Sequence, residues 1–201
     1  MNRLHPYILL LCTASFCLSI HNSIIAQPGE INKVILLQHD ETTKQKLANF
    51  ISGGIEKPVD INGTSAESFT TAALKYLGMP HCMGGNGRTS KNNKGRKCID
   101  CSGLLNASFA DTGIPLNIHS SQELARYGKL IADSALIKKG DLLFFVHSYR
   151  PKDSTIVITH SGIALENGLM VHTSASRGVE ITRYSTDYWG SRLVFATRIF
   201  E

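Results

Sequence analysis

Hydrophobic positions in the first half of the chain recur at helical intervals. Residues 64–78 begin with Thr64 and Glu67 at the spacing of a capping box, continue with apolar residues on one helical face, and end at a glycine. The same period returns over residues 101–113 and, for a shorter stretch, over residues 121–127. We therefore predict three helices, one in each of these segments.

The pattern changes to short strands after Gly140. Apolar runs are separated there by turn residues such as the tripeptide Glu166-Asn167-Gly168. Helices that come first, followed by an antiparallel run of strands, are typical of an α+β domain and not of alternating βαβ units. The predicted strands cover residues 141–146, 156–165, 169–173, 178–183 and 193–200.

Residues 27–63 carry a weaker pattern and no recognisable motif. A strand-like run lies at residues 33–37 and a helical pattern at residues 42–51, and a pair of glycines separates both from the helix that follows. We predict that residues 27–63 form a short N-terminal extension and that residues 64–201 form the main domain.

The composition fits one globular domain. The chain has 201 residues, of which 42% are hydrophobic and 18% charged, which excludes a disordered or collagen-like protein. Lys and Arg number 21 against 16 Asp and Glu, for a net charge of +5. That excess is far below the dense, one-sided basicity of a duplex-binding protein, so we expect no nucleic-acid partner.

Residues 1–26 have the outline of a secretory signal. Arg3 precedes an apolar run from Tyr7 to Ile20, and the small residue Ala26 lies where cleavage would occur. The run is shorter than the roughly 20 residues that a membrane-spanning helix needs, so we expect no stable membrane anchor. Neither cysteine of the segment follows a small residue, which disfavours lipidation without excluding it. We predict export to the periplasm or the cell exterior, with a buried N-terminal helix as the alternative.

Cleavage at Ala26 would leave three cysteines, Cys82, Cys98 and Cys101. An odd count in an exported protein is consistent with one disulfide and one free thiol. Cys101 opens a predicted helix, and a helix N-terminus lowers the pKa of a thiol and presents N–H groups to a developing oxyanion. Cys101 is therefore the candidate nucleophile.

Two histidines lie in predicted strands that hairpin pairing can bring together. His160 lies in one strand, and His172 lies twelve residues later, across the predicted turn. An imidazole beside a thiol can act as a general base, and a second polar group can orient it. The chain thus has residue types suited to a nucleophile, a base and an orienting group.

These residues belong to a longer series of motifs. The series is Leu77-Gly78-Met79-Pro80, Gly84-Gly85, Asp100-Cys101-Ser102-Gly103, Gln122, Lys139-Gly140-Asp141-Leu142, His160-Ser161-Gly162-Ile163, Val171-His172 and Trp189. In this order, and over about residues 66–200, the chain resembles the NlpC/P60 family of cell-wall cysteine peptidases.

The resemblance implies a papain-like α+β fold, with helices packed on an antiparallel sheet and the nucleophile at a helix N-terminus. It implies that Cys101 is the nucleophile, His160 the general base and His172 the polar third member. The implied reaction is hydrolysis of the bond between D-glutamate and a diamino acid in peptidoglycan stem peptides of the bacterial cell envelope. We expect no metal and no cofactor, and a monomer whose partner is the stem peptide.

One position departs from the family pattern. Family members commonly have tyrosine where this chain has His81, and a neutral imidazole can donate one hydrogen bond as a phenol does. We keep His81, Asp100 and Ser102 as candidate substrate or oxyanion contacts, with helix capping as the default role of the last two. The basic segment 86–97 is a candidate wall of the substrate groove, and a solvated charged loop is an equally good interpretation.

The cysteines allow other assignments. Cys98 and Cys101 form a C-x-x-C motif, which together with His81 and Cys82 would suit a zinc site. That assignment gives no role to the two strand histidines. We prefer a disulfide between Cys82 and Cys98, which would close a loop worth roughly 3 kcal/mol, over two buried thiols.

Two other functions remain open at this point. A module of the same fold that has lost catalysis through the replacement at His81 would only bind cell wall or another polyanion. An amidase or acyltransferase with a different acyl substrate would use the same nucleophile, base and third residue.

Overall fold

The computed structural model describes residues 39–89 and 95–201. The predicted signal segment 1–26, the predicted strand at residues 33–37 and the centre of the basic loop, residues 90–94, lie outside the described residues. Within the described ranges, no helix is both long enough and apolar enough to cross a membrane.

Helices dominate the first half of the chain, as predicted. The helices at residues 42–51 and 101–113 are found within a residue or two of their predicted bounds. A one-turn helix near Trp189 was not predicted. The α-helices of the described residues are α1 (Glu41–Ser52), α2 (Ala66–Leu74), α3 (Cys101–Asp111), α4 (Ser121–Leu124) and α5 (Asp187–Gly190).

Helix α2 is shorter at both ends than the predicted segment 64–78. It is capped by Ser65 and not by Thr64, because the Thr64 hydroxyl donates instead to the carbonyl of Thr112, at 3.0 Å. It ends four residues before Gly78. The N–H of Gly78 bonds to the carbonyl of Val179 in the sheet, at 2.9 Å, so the chain leaves the helical path early.

Helix α4 is shorter than the predicted segment 121–127. The carbonyl of Arg126 accepts the N–H of Lys57 at 2.8 Å, and the N–H of Gly128 bonds to the carbonyl of Lys57 at 3.0 Å. These tertiary bonds use backbone groups that a continued helix would need for itself.

An antiparallel six-stranded sheet forms the second half. Its strands are adjacent in the order β3-β8-β4-β5-β6-β7. Strands β5, β6 and β7 form an antiparallel meander that ends at one edge of the sheet. The predicted α+β class, with helices packed on an antiparallel sheet, is confirmed. The strands are β3 (Lys129–Ile131), β4 (Leu142–Phe145), β5 (His160–Ala164), β6 (Leu169–Ser174), β7 (Gly178–Arg183) and β8 (Leu193–Arg198).

A small two-stranded ribbon precedes the sheet. Strands β1 (Asn86–Thr89) and β2 (Lys97–Ile99) pair antiparallel at the two ends of the basic segment, where no strand was predicted. Strand β3 was also not predicted, and β5 begins four residues later than expected. Strands of three or four residues are too short to show an alternation that the sequence alone can identify.

The main hydrophobic core lies between the helices and one face of the sheet. Phe69 of α2 and Phe109 of α3 stack there with ring centroids 4.5 Å apart. Leu47 and Phe50 of α1 belong to the same core, although α1 lies in the segment predicted as an extension. A second, smaller core on the opposite face contains Phe145 and borders Trp189.

Candidate active site

Asp100 fixes the start of α3. One carboxylate oxygen accepts the N–H of Gly103 at 2.7 Å and the hydroxyl of Ser102 at 3.0 Å. The other accepts the N–H of Gly84 at 2.8 Å. Asp100 and Ser102, both candidate substrate or oxyanion contacts, are thus engaged in capping, and Cys101 is held as the first residue of the helix.

The glycines of two motifs meet beneath this helix start. The carbonyl of Gly85 accepts the N–H of Asp100 at 3.0 Å. A Cβ atom on Gly103 would lie 2.0 Å from that carbonyl oxygen, so only glycine permits the approach. The first turn of α3 therefore rests directly on the Gly84-Gly85 segment.

A disulfide joins Cys82 to Cys98, with their Cα atoms 5.5 Å apart. The N–H of Ile99 bonds to the carbonyl of Pro80 at 3.0 Å, so the segment that carries His81 runs beside β2. Because the two sulfurs are joined to each other, neither is a thiolate ligand for zinc. No cluster of three or more His, Cys, Asp or Glu in residues 39–89 and 95–201 is arranged to hold a metal ion.

The sulfur of Cys101, the free cysteine of the described residues, lies beside β5. It is 3.3 Å from the hydroxyl of Ser121, which in turn is 2.9 Å from the hydroxyl of Ser161. Cys101 is thereby placed next to the strand residue that follows His160.

Burial raises the pKa of the Cys101 thiol above its usual value. The hydrogen bond from Ser121 opposes this shift, the charge of Asp100 adds to it, and the N–H groups of Ser161 and Ser102 oppose it. The sequence predicted a lowered pKa from the helix N-terminus. The structure corrects that prediction, because removal of the sulfur from water outweighs the local donors.

His160 and His172 face each other across β5 and β6. Nε2 of His160 is 3.0 Å from Nδ1 of His172, and the side chains are 7% and 1% exposed. Burial lowers the pKa of His160 to about 3, with smaller contributions from the charges of His172 and His81. Burial likewise lowers the pKa of His172 to about 4, against the opposing charge of Glu180. Both rings are therefore neutral at pH 7.

Aromatic rings hold this pair in place. Trp189 stacks on His160, with centroids 5.0 Å apart and planes at 22°, and meets His172 edge-on at 4.8 Å. Phe145 packs against His160 from β4, at 5.9 Å. The sequence marks Trp189 only as part of a motif, and the structure places it against both histidines.

Some residues of the site carry no signal in the sequence pattern. Ser121 lies in a predicted helix but in none of the motifs, and only the packing of α4 on β5 brings it to the sulfur and to Ser161. Tyr149, half-exposed in the loop after β4, has its pKa raised by partial burial and by the charges of Cys101 and Asp100. That loop has no periodicity from which its position could be predicted.

Comparison with known proteins agrees with this geometry. The sequence model of the NlpC/P60 family matches residues 78–198. The chain belongs to the NlpC/P60 family. The predicted family is therefore confirmed, and the match includes the cysteine, both strand histidines and Trp189.

Curated relatives extend the comparison. The chain is 35% identical over 143 residues to the bifunctional muramidase/DL-endopeptidase CwlT of Bacillus subtilis (strain 168), an alignment that covers 71% of this chain and 39% of CwlT. It is 34% identical over 122 residues to the gamma-DL-glutamyl hydrolase of the same organism, covering 60% of this chain and 26% of that protein. The chain thus matches well under half the length of these relatives.

A solved structure shows the same fold. An NlpC/P60 family protein from Bacillus cereus ATCC 10987 superposes with a TM-score of 0.55 at 27% identity, over 71% of this chain and 42% of that one.

Proposed function

We propose that this chain is an exported cysteine peptidase that hydrolyses peptidoglycan stem peptides at the bond between D-glutamate and the diamino acid. The observation that carries the proposal is the position of Cys101, at a helix N-terminus and beside the strand of the hydrogen-bonded pair His160–His172. The activities of the two relatives, a DL-endopeptidase and a gamma-DL-glutamyl hydrolase, support this bond.

His160 is the general base in this proposal. Its Nε2 is occupied by His172, so Nδ1 is the nitrogen that remains for the thiol proton. Because both the thiol and the imidazole are neutral at rest, the proton moves to His160 as the sulfur attacks the carbonyl carbon of the scissile bond. His160 then returns that proton to the leaving amine, and a thioester to Cys101 remains.

Hydrolysis of the thioester repeats the same steps. His160 takes a proton from water, the resulting hydroxide attacks the thioester carbonyl, and the proton returns to the departing sulfur. The oxyanion of each step lies at the N-terminus of α3, where the N–H of Cys101 is a donor. His81 is our candidate for a second donor, in the place where family members commonly have tyrosine.

The disulfide supports export. Disulfides persist in oxidising compartments, and Cys82–Cys98 lies next to the proposed site. We propose that residues 1–26 are removed during export and that the protein acts in the periplasm or outside the cell. N-terminal sequencing of the secreted protein tests the cleavage.

The activity is tested by incubating the protein with defined stem peptides and identifying the products by mass spectrometry. We expect products cut between D-glutamate and the diamino acid. Cys101→Ser should yield none while keeping the thermal midpoint, because the change is nearly isosteric, and the exposed variant His119→Ala should cut like the wild type. Binding of peptidoglycan without products would favour a binding module, and cleavage only of other amides would favour an amidase.

A further inference from the structure

Glu180 lies directly opposite His172. The two residues are register partners on β7 and β6. Oε1 of Glu180 is 3.6 Å from Nε2 of His172, on the side of the ring away from His160. That nitrogen is buried and makes no hydrogen bond to any described residue, so the carboxylate is the charged group that it faces.

The carboxylate is itself fixed in place. Arg177 donates from Nε to Oε2 at 2.5 Å and from Nη2 to Oε1 at 2.8 Å, in a two-point contact. This contact lowers the pKa of Glu180, which is therefore ionised at neutral pH. Arg177 is largely exposed and Glu180 is mostly covered, so the pair presents a held negative charge to the buried ring.

A negative charge at this position selects between the two tautomers of His172. With the proton on Nε2, an N–H points at the carboxylate. With the proton on Nδ1, a nitrogen lone pair would face the carboxylate and repel it.

The tautomer of His172 sets that of His160. If His172 carries its proton on Nε2, its Nδ1 has a lone pair and accepts a hydrogen bond from Nε2 of His160. The Nδ1 of His160 then has the lone pair that can accept a proton from Cys101. In the opposite arrangement Nδ1 of His160 carries a proton and cannot act as a base.

We propose that Glu180 is a positioning residue that holds the proton of His172 on Nε2 and thereby keeps His160 in the tautomer that can deprotonate Cys101. The inference rests on the proposed peptidase function. It assigns a task to a residue that belongs to none of the motifs found in the sequence.

Kinetics on a stem peptide test the proposal. Glu180→Leu should lower kcat about tenfold or more and leave KM within about twofold, because the fault lies in the base and not in substrate binding. Glu180→Gln keeps an oxygen that can accept from Nε2, so it should retain more activity than Glu180→Leu. The control is Glu166→Leu, an exposed acid at the turn between β5 and β6, which should behave like the wild type.

A double variant separates positioning from a general structural role. In the His172→Gln background, adding Glu180→Leu should change kcat by less than about twofold, because the relay through the ring is already lost. An equal loss in both backgrounds would overturn the proposal. So would an unchanged kcat in Glu180→Leu.

The tautomers can also be measured without substrate. In protein with ¹⁵N-labelled histidine, long-range ¹H–¹⁵N correlations should show the proton of His172 on Nε2, and Glu180→Leu should reduce that preference. A proton on Nδ1 in the wild type would overturn the proposal. This measurement needs no turnover. Failure to hydrolyse any stem peptide would therefore reject the peptidase function, and the NMR spectra alone would then decide whether Glu180 sets the tautomer of His172.

Discussion

At the scale of single side chains, the two histidines proposed for catalysis are uncharged at neutral pH. His160 and His172 lose nearly all contact with water, and burial keeps both in the uncharged form at pH 7. A neutral imidazole can accept the proton of Cys101, whereas an imidazolium cannot. In the proposed mechanism His160 moves the proton, and His172 orients it by accepting at its Nδ1 a hydrogen bond from Nε2 of His160.

Substitution of the two histidines should separate these tasks. His160→Ala removes the proton acceptor, so we expect turnover to fall to the level of Cys101→Ser. His172→Gln keeps a hydrogen-bonding group beside the ring, so measurable activity should remain, with the loss in kcat and not in KM. Steady-state kinetics on a stem peptide measures both variants. Activity in His160→Ala together with none in His172→Gln would reverse the two roles.

The reactivity of the thiol should follow its burial. A raised pKa leaves less thiolate at a given pH, so the rate of Cys101 alkylation by iodoacetamide should reach its midpoint at a higher pH than that of free cysteine. Ser121→Ala removes the largest opposing hydrogen bond and should move the midpoint higher still, whereas the exposed variant Ser52→Ala should not move it. A midpoint below that of free cysteine would show that the helix N-terminus outweighs burial.

At the scale of elements, the N-cap of α3 serves both stability and the site. Asp100 joins the first turn of the helix to the Gly84 segment, and its carbonyl accepts the hydroxyl of Thr173 in β6 at 3.3 Å. One residue thereby connects the helix that carries Cys101 to the strand that carries His172. Asp40 caps α1 by accepting the N–H of Thr43, and within the described part of the chain it makes no hydrogen bond to α3 or β6.

These two caps allow a matched comparison. Asp100→Ala should destabilise the fold by about 1 kcal/mol or more and also lower kcat, because the sulfur loses its alignment with β5. Asp40→Ala should lower the thermal midpoint without changing kcat. Thermal melts and kinetics on the same samples measure both effects. Equal activities in the two variants would show that the Asp100 cap only stabilises its helix.

Elements with a sustained apolar pattern were predictable from the sequence, and the short strands of the ribbon were not. Helix α3 and the hairpin of β5 and β6 have several apolar positions in phase, so their period identifies them and places Cys101, His160 and His172. The ribbon of β1 and β2 has too few residues for any period. The cap of α2 was also beyond prediction, because Thr64 and Ser65 are equally good caps and only the tertiary bond of Thr64 to Thr112 decides between them.

The contacts of the site were predictable only where strand pairing determines them. The contact of His160 with His172 follows from the β5–β6 hairpin, in which His172 lies opposite Gly162 and so diagonal to His160, and the register of the next strand places Glu180 opposite His172. The approach of Ser121 to Cys101 depends on how α3 and α4 pack on the sheet. Local sequence periodicity does not predict that packing.

At the scale of the whole molecule, the segment before residue 64 contributes to the core. Leu47 is fully buried and Phe50 is 6% exposed, and the guanidinium of Arg126 lies 4.3 Å from the Phe50 ring centroid. Arg126 also donates to the carbonyl of Gly54 at 2.7 Å. Helix α1 is therefore packed on the main core, and its removal would expose apolar surface.

Buried neutral histidines make the stability of the whole fold depend on pH. In the unfolded chain a histidine has a pKa of about 6.5, whereas in the fold His160 and His172 have pKa values of about 3 and about 4. Between the folded and the unfolded pKa values the unfolded state binds more protons than the folded state. The free energy of unfolding therefore falls as the pH drops below about 6.5 and is regained as the pH rises through 6.5. His39, whose pKa burial also lowers, acts in the same direction.

Urea unfolding at pH 6.5 and pH 5 should reveal this dependence. Each of the two site histidines should cost roughly 1.6 kcal/mol of unfolding free energy over that interval. A full proton over 1.5 pH units corresponds to about 2 kcal/mol, but the unfolded histidine is only about half protonated at pH 6.5, and unfolded carboxylates remain mostly ionised above about pH 5. His160→Asn should lose its own share of the effect, less than half because His172 and His39 also contribute, and the exposed variant His119→Asn should keep all of it. An unfolding free energy that stays constant from pH 6.5 to pH 5 would mean that both rings take up protons in the folded state, and a charged His160 at rest would contradict its role as the base.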